Sequence, residues 1–525
     1  MTLAPGFGFL LQTVMVKKGT VYLIGAGPGD PGLMTIKGKE VLGSADVIVY
    51  DYLVNRRLLE LARNEAETIY VGKKAGVKEM SQERINALLV EHAEKGRAVA
   101  RLKGGDPFIF GRGGEEAEEL ARKGIPFEIV PGVTSASAVP AYAGIPLTHR
   151  DITSSFAVVT GHEDPSKAES SIPWRVLSKI GTVVFLMGVK KLGVNMRRLI
   201  DAGKPPATPA AVITWGTYPS QSTVTGTIEN IAETVRKRKD ITSPAIVVVG
   251  EVVALRDIMN WYESKPLFGK KVVVTRAEEQ ASTFTALLEG AGAHVVLFPA
   301  IKIEPPKSYK SLDSAIDKLH KYDWIVFTSV NGVKSFFDRM RARGKDLREM
   351  HRILIAAIGE VTASDIEKRG MNIELVPQDY RAEGLIKLFR KKKLQGAKIL
   401  IPRAKEARDI LPATLREMGA DVQVATAYET KMPGKRRADR IRKMLSQGEI
   451  DVLTFTSSST VRNFLSAVGG LDTAPAKPVI ACIGPVTANT LKENGYRADI
   501  VPGEYTVNRL TEEIILYFNR PGNRK

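Results

Sequence analysis

The chain has a single cysteine, Cys482, in 525 residues, so no intrachain disulfide can form and a reducing compartment, by default the cytoplasm, is expected. Its six histidines are scattered, at His92, His149, His162, His294, His320 and His351, and none has a cysteine or a second histidine at metal-ligand spacing. No metal site is expected. Residues 1–16 are uncharged and partly apolar, but Pro5, Gly6, Gly8 and Gln12 interrupt them and they fall short of the roughly 20 apolar residues that a membrane span requires. A disordered extension over residues 1–18 is expected instead, with Met15 as an alternative start, and no association with a membrane. Patterns for nucleic-acid binding are missing too. Lysines and arginines are spread over helical stretches rather than interleaved with aromatics, and no RNP, KH or zinc-finger spacing occurs, so nucleic acid is not expected as a partner.

What is present in excess is positive charge. A formal net charge of +18 points to a polyanionic partner, and charge alone does not choose among nucleic acid, an acidic membrane surface and a small polycarboxylate. At a prior of about 150 residues per domain, the length predicts several packed domains.

The first 262 residues alternate short β-rich runs with amphipathic helical stretches, the pattern of an α/β unit with a largely parallel sheet. Two lobes are expected, about 19–150 and 151–262, followed by a Pro- and Gly-containing linker at 263–269. Two glycine-dense turns stand out, Gly-Ala-Gly-Pro-Gly-Asp at 25–30 and Lys-Gly-Gly-Asp-Pro-Phe-Ile-Phe-Gly-Arg-Gly at 103–113, each directly after a β-rich run. Bare backbone at strand ends is where α/β folds bind ligands. The first turn is not a dinucleotide fingerprint, even with Asp51 where a ribose-binding acid belongs. Asp30 occupies the sixth position, and Pro28 and Pro31 stiffen a loop that should instead turn straight into a helix.

These motifs, together with Val-Gly-Lys-Lys-Ala-Gly at 71–76, Pro-Gly-Val-Thr-Ser-Ala-Ser at 131–137, Gly-Ile-Pro-Leu-Thr-His-Arg at 144–150 and Val-Val-Ala-Leu-Arg-Asp at 252–257, resemble the tetrapyrrole methylase family, specifically its uroporphyrinogen-III C-methyltransferases, over residues 19–262. The resemblance implies a two-lobed methylase fold that binds S-adenosylmethionine in the cleft between lobes, and a homodimer formed through this half. Carried over by motif, the implied cofactor contacts fall on Pro28, Gly104, Gly105, Asp106, Ile109, Thr134, Ser135, Met187 and Gly216. Methylating a pyrrole carbon needs in-line alignment and a base for the proton lost. The family's base corresponds to Asp51 and its proton donor to Lys73, for which anchoring a substrate carboxylate is an equal alternative.

Residues 270–525 contain an internal repeat. Lys-Val-Val-Val-Thr-Arg-Ala at 271–277 returns at 398–404, Asp-Trp-Ile-Val-Phe-Thr-Ser at 323–329 returns at 451–457, and Ala-Ala-Ile-Gly-Glu-Val-Thr-Ala at 356–363 returns at 481–488. With Val-Pro-Gln-Asp-Tyr at 376–380 returning at 501–505, four pairs recur in one order at offsets of 125 to 128 residues, which predicts two similar α/β domains. This half resembles uroporphyrinogen-III synthase, an enzyme that closes hydroxymethylbilane into a macrocycle without a cofactor. The resemblance further implies a two-stranded connector, with the first strand packing beside the C-terminal segment. Candidate groups for holding substrate carboxylates are Thr328, Ser329, Ser457, Ser458 and Thr487, with Tyr428 as proton donor to the leaving hydroxyl. A bifunctional enzyme of tetrapyrrole biosynthesis is expected, since the product of the second half is the substrate of the first. The alternative is a methyltransferase for another corrin precursor with an inactive or regulatory synthase-like half.

Overall fold

The computed structural model describes residues 18–72, 80–162, 170–238, 240–276, 278–300, 302–377, 382–405, 409–431, 434–472 and 474–521. The chain divides into two units, one of Met1–Lys270 with Gly290–His294 and one of Lys271–Glu289 with Val295–Lys525. The segment expected as a linker is packed within the first unit: Leu267 is fully buried, and its N–H donates to the carbonyl of Ala291 at 2.9 Å.

The first unit holds two five-stranded sheets. Strands β1 (Val21–Gly25), β2 (Val47–Tyr50), β3 (Glu67–Tyr70), β4 (Val99–Lys103) and β5 (Phe127–Val130) lie in the order β3-β2-β4-β1-β5, all parallel. Because strand side chains alternate, this sheet needs apolar cover on both faces. Val21, Leu23, Val47, Val49 and Val99 pack on one side against Leu89 and Leu120 of the helices Gln82–Glu94 and Gly113–Arg122. Ile24, Ile48, Ala100 and Leu102 pack on the other against Leu42 of the helix Ile36–Ser44. Alternation puts Arg101 and Lys103 on the same face as Val99, inside the core.

The second sheet departs from the parallel expectation. Strands β6 (Phe156–Thr160), β7 (Thr182–Leu186), β8 (Pro209–Thr214), β9 (Ser222–Thr227) and β10 (Ala245–Val249) run in the order β6-β7-β10-β8-β9, and only β6 with β7 is parallel. The connection from β8 to β9 is too short for a helical crossover, so the pair closes as a hairpin. The last strand, β10, then inserts antiparallel between β7 and β8.

The second unit carries strands β11 (Lys271–Val274), β12 (His294–Leu297), β13 (Lys302–Glu304), β14 (Trp324–Phe327), β15 (Leu354–Ala357), β16 (Lys398–Ala404), β17 (Asp421–Lys431), β18 (Val452–Phe455) and β19 (Val479–Cys482). Its sheets read β12-β11-β18-β19 and β13-β17-β16-β14-β15. The sequence repeats are therefore not the sheets. Strand β11 opens the first repeat but pairs in parallel with β18 of the second, while β16 opens the second repeat and pairs with β14 of the first. Each repeat contributes its first strand to the other's sheet. One core is built on Phe298, Phe455 and Phe464, whose rings meet edge to face at 5.2 and 5.4 Å. Such pairs contribute about 0.5–1.5 kcal/mol beyond their burial. In this core Cys482 is fully buried, and burial pushes its thiol pKa up to about 12.

Candidate active site

In the first unit the loops that leave β1, β4 and β5 meet with almost no side chain between them. A Cβ placed on Gly25 would lie 2.4 Å from the Cα of Gly132 and 2.7 Å from the carbonyl oxygen of Gly105. Gly27 and Gly105 form an antiparallel bridge, the Gly105 N–H donating to Gly27 O at 2.7 Å. At φ +70° Gly105 also needs a conformation that other residues rarely adopt. Asp106 locks the β4 loop to the β5 loop: one carboxylate oxygen accepts the Phe108 N–H at 2.8 Å and the other accepts the Gly132 N–H at 3.0 Å. Thr134 caps the helix Ser135–Tyr142 by accepting the Ala136 N–H at 3.3 Å, which sets Ser135 at its first turn.

The β1 loop is tied to the loops after β8 and β2 and to the helix Ser135–Tyr142. The Asp30 N–H donates to Thr217 Oγ1 at 3.0 Å, the Tyr142 hydroxyl donates to Asp30 at 2.7 Å, and Asn55 Nδ2 donates to the Gly29 carbonyl at 2.7 Å. Burial, and then the bond to Asp30, raises the Tyr142 phenol above its ordinary range. Gly216, after β8, faces Val139 so closely that a Cβ would stand 2.3 Å from Cγ1. Beside it, Trp215 packs on Tyr52 of the β2 loop at 6.3 Å and on Tyr218 at 5.6 Å, and burial pushes the Tyr218 phenol up to about 12.

Strain concentrates at these loops. Among the described residues, the non-glycine residues with positive φ are Phe110, Arg112, Met187, Trp215 and Thr217, and all follow β4, β7 or β8. Each such conformation costs on the order of 1–3 kcal/mol, and such strain clusters at ligand sites. Large apolar side chains are left in solvent on the loops after β4 and β7 and on the β2 loop: Phe108, Ile109, Phe110, Met187, Tyr52 and Leu53. Exposed apolar groups beside bare backbone suit a small organic ligand with both apolar and hydrogen-bonding parts.

The expected cofactor contacts thus fall on four loops joined to one another, through Pro28 and its neighbours, Gly104 to Ile109, Thr134 with Ser135, and Gly216; Met187 stands at the end of β7. Asp51 leaves β2, its carboxylate accepting the Leu53 N–H at 3.1 Å and lying 3.5 Å from Arg101 Nη2. Lys73 lies outside the described residues.

What the motif reading missed is buried beneath Asp51. Arg101 Nε and Lys103 Nζ both reach Glu116 Oε1, at 3.1 and 2.8 Å, and Glu116 is fully buried. Burial, and then the Arg101 charge, depresses the Lys103 ammonium pKa. The signal was available in Ala-Val-Ala-Arg-Leu-Lys: two cations two residues apart in an otherwise apolar strand place both charges on one buried face.

In the second unit Ser329 and Tyr428 are brought together, their hydroxyl oxygens 3.0 Å apart. Ser329 accepts the Gly332 N–H at 3.1 Å and caps the helix Val330–Ala342, and Thr328 precedes it at the end of β14. Ser457, at the matching place after β18, caps the helix Ser458–Val468 in a reciprocal capping box with Thr460. Ser458 accepts the Thr490 hydroxyl at 2.7 Å, while Thr487 is buried in the helix Pro485–Glu493. The two groups sit on different sheets. The repeat also places Arg276 and Arg403 alike, at the ends of β11 and β16; Arg403 is buried beside Asp409, and burial depresses the Arg276 pKa. The recurring Thr-Arg-Ala and Pro-Arg-Ala were the sign that would have flagged them.

Comparison with known proteins decides the family. Residues 20–232 match the family model described as Tetrapyrrole (Corrin/Porphyrin) Methylases, and residues 282–512 match Uroporphyrinogen-III synthase HemD. A Porphyrin biosynthesis protein HemD of Ruminiclostridium josui is 37% identical over 502 residues, 95% of this chain and 98% of that protein. The chain belongs to both families. It is a fusion of a uroporphyrinogen-III C-methyltransferase domain with a HemD-type synthase domain. A Uroporphyrinogen-III C-methyltransferase of Bacillus subtilis (strain 168) is 43% identical over 70% of this chain and 75% of its own length. An S-adenosyl-L-methionine-dependent uroporphyrinogen III methyltransferase of Methanosarcina barkeri is 54% identical over 46% of this chain and 94% of its own. The joined, strained loops thus belong to the methylase half, and the Ser329–Tyr428 pair to the synthase half. No helix among the described residues is long and apolar enough to cross a membrane.

Proposed function

We propose that the synthase half cyclises hydroxymethylbilane to uroporphyrinogen III and that the methylase half methylates this product twice, from S-adenosylmethionine, to precorrin-2. The observation that carries the reading is the side-chain-free meeting of the β1, β4 and β5 loops, where any Cβ on Gly25 or Gly132 collides with backbone. That backbone contact sets where the β1, β4 and β5 loops stand relative to one another, and the exposed Ile109 and Met187 on the strand-end loops offer a nucleoside apolar contacts. S-Adenosylmethionine supplies an electrophilic methyl on a sulfonium. Around it stand Pro28, Gly104, Gly105, Asp106, Thr134, Ser135 and Gly216, and because the methylated pyrrole carbon already bears a carboxylate side chain and has no hydrogen to give up, an Asp51 carboxylate oxygen takes the proton that the macrocycle loses from a neighbouring position. Lys73 holds a substrate carboxylate or returns a proton.

In the synthase half, the Ser329 hydroxyl orients the Tyr428 hydroxyl, which gives its proton to the departing hydroxyl of hydroxymethylbilane. Thr328, Ser457, Ser458 and Thr487 serve the substrate carboxylates directly or by fixing the helix starts that do. Both substrates are polycarboxylates, which gives the +18 charge a purpose. A homodimer formed through the methylase half, acting in the cytoplasm, completes the reading.

Incubating the whole protein with hydroxymethylbilane tests both halves. The expected products are an isomer-III macrocycle without the methyl donor and its dimethylated form with it. Failure to cyclise, with methylation of an added corrin precursor other than uroporphyrinogen III, would establish the alternative. Tyr428→Phe is expected to slow cyclisation and leave methyl transfer unchanged; undiminished cyclisation removes the proton-donor role.

A further inference from the structure

Between the sheet and the helices Gln82–Glu94 and Gly113–Arg122 lies a buried ionic cluster that neither the cofactor recess nor the proposed base accounts for. Arg101 and Lys103 are 4% and 5% exposed at the side chain and Glu116 is 0% exposed, whereas Asp51, at the cleft end of the chain of contacts, is 26% exposed. Glu116 Oε1 accepts from Arg101 Nε at 3.1 Å, Lys103 Nζ at 2.8 Å and Gln82 Nε2 at 3.2 Å. Glu116 Oε2 is buried with no hydrogen-bond partner among the described residues. Arg101 Nη1 donates to the carbonyls of Val49 and Leu102 at 3.4 and 3.1 Å, which fixes the guanidinium plane, and Nη2 points to Asp51 at 3.5 Å. Replacing such a cluster by apolar side chains is generally neutral or stabilising for a fold, so stability alone does not account for it.

We propose that Arg101 is a positioning residue for methyl transfer: held by Glu116, it fixes the Asp51 carboxylate at the exit of β2 in one orientation. The geometry holds Asp51 on both sides, by the Leu53 N–H on one oxygen and by Arg101 on the other, and leaves the carboxylate partly exposed. Lys103, on the strand of Arg101, also lies within electrostatic reach of Asp51. The inference rests on the proposed role of Asp51 as base.

The test is steady-state methyl transfer by the whole protein, with uroporphyrinogen III and S-adenosylmethionine, reading kcat and KM separately. Arg101→Gln is expected to lower kcat at least about tenfold, within what a positioned proton acceptor supplies, while the KM for uroporphyrinogen III and the Kd for S-adenosylmethionine stay unchanged. Arg101→Lys, which keeps the charge, should restore kcat in part. Glu116→Gln, close to isosteric, loosens the hold on Arg101 and should lower kcat to a smaller extent; it stands in should Arg101→Gln fail to fold. A folded Arg101→Gln with the parental kcat, or one whose loss falls on KM or on the Kd instead, overturns the proposal. Asp51→Asn separates the two readings. If it keeps the parental kcat, Asp51 is not the base; if it lowers kcat while Arg101→Gln does not, only the positioning role falls.

Discussion

The two halves of this chain solve similar problems by opposite means. In the methylase half the expected cofactor loops are fixed by backbone: glycines in contact, non-glycine residues held at positive φ, and an aspartate that uses both oxygens to bind loop N–H groups. In the synthase half the positive-φ residues among those described are all glycines, and the expected site consists of hydroxyls that cap helices after strands. Loops locked by backbone contact tolerate little change. Caps and hydroxyls orient a flexible polycarboxylate with less strain, and their sequence signature is correspondingly fainter, since serine after a strand is common for purely structural reasons.

The contrast can be broken or sharpened by substitution. The largest effect expected is from Phe464→Ala, which empties the ring cluster with Phe298 and Phe455 and should cost about 3–5 kcal/mol in the unfolding of the synthase half. Cyclisation should fail first on warming, while methyl transfer at 25 °C stays at its original rate. Next comes Gly132→Ala: its Cβ would stand 2.4 Å from Gly105 O and 2.6 Å from Gly25 Cα, neither able to retreat alone. We expect about 1–3 kcal/mol of destabilisation and loss of the calorimetric heat of S-adenosylmethionine binding. A variant that binds normally would show that the recess is not the cofactor's.

Within the synthase half, Ser329→Ala and Ser457→Ala each remove a cap and should cost about 1 kcal/mol apiece in denaturant unfolding. Only Ser329→Ala also removes the Tyr428 contact, so it should slow cyclisation more. Equal kinetic effects would deny the pair any special part. The smallest effect concerns Asp313, whose carboxyl the hydrogen-bonded Arg339 guanidinium holds below its ordinary range. A carboxyl depressed in the folded state contributes stability above its unfolded pKa, about 3.9, and loses that contribution as pH falls through the folded value. Arg339→Leu should therefore cost at most about 1 kcal/mol at pH 6, with the difference from the parent protein shrinking as pH falls below the unfolded value.

Where the local pattern was strong, the sequence could be read directly. The β-rich runs before the two glycine turns are β1 and β4, and the repeat correctly announced matched strands in the second half. Where the outcome depended on how strands meet, it could not. The alternation of strand and helix suggested a largely parallel sheet, yet in the second sheet β8 and β9 close a hairpin and β10 enters antiparallel between β7 and β8, because pairing direction depends on connection length and on the strands already in place. Site residues divided the same way: glycines and aspartates of the long motifs were legible, whereas two cations in an apolar strand marked a buried face but their partner Glu116 emerged only when folding buried the three together.

By itself the sequence determined the family, the two-part organisation of the activity and the loops that carry the motifs, because long motifs are local and keep their meaning wherever the chain goes. Only the tertiary structure decided that each repeat lends its first strand to the other's sheet, that Asp51 rests on a buried arginine, and that Ser329 faces Tyr428. Those are contacts between residues 50 to 180 positions apart, and their partners are chosen by packing and hydrogen bonding in three dimensions rather than by any neighbour in the chain.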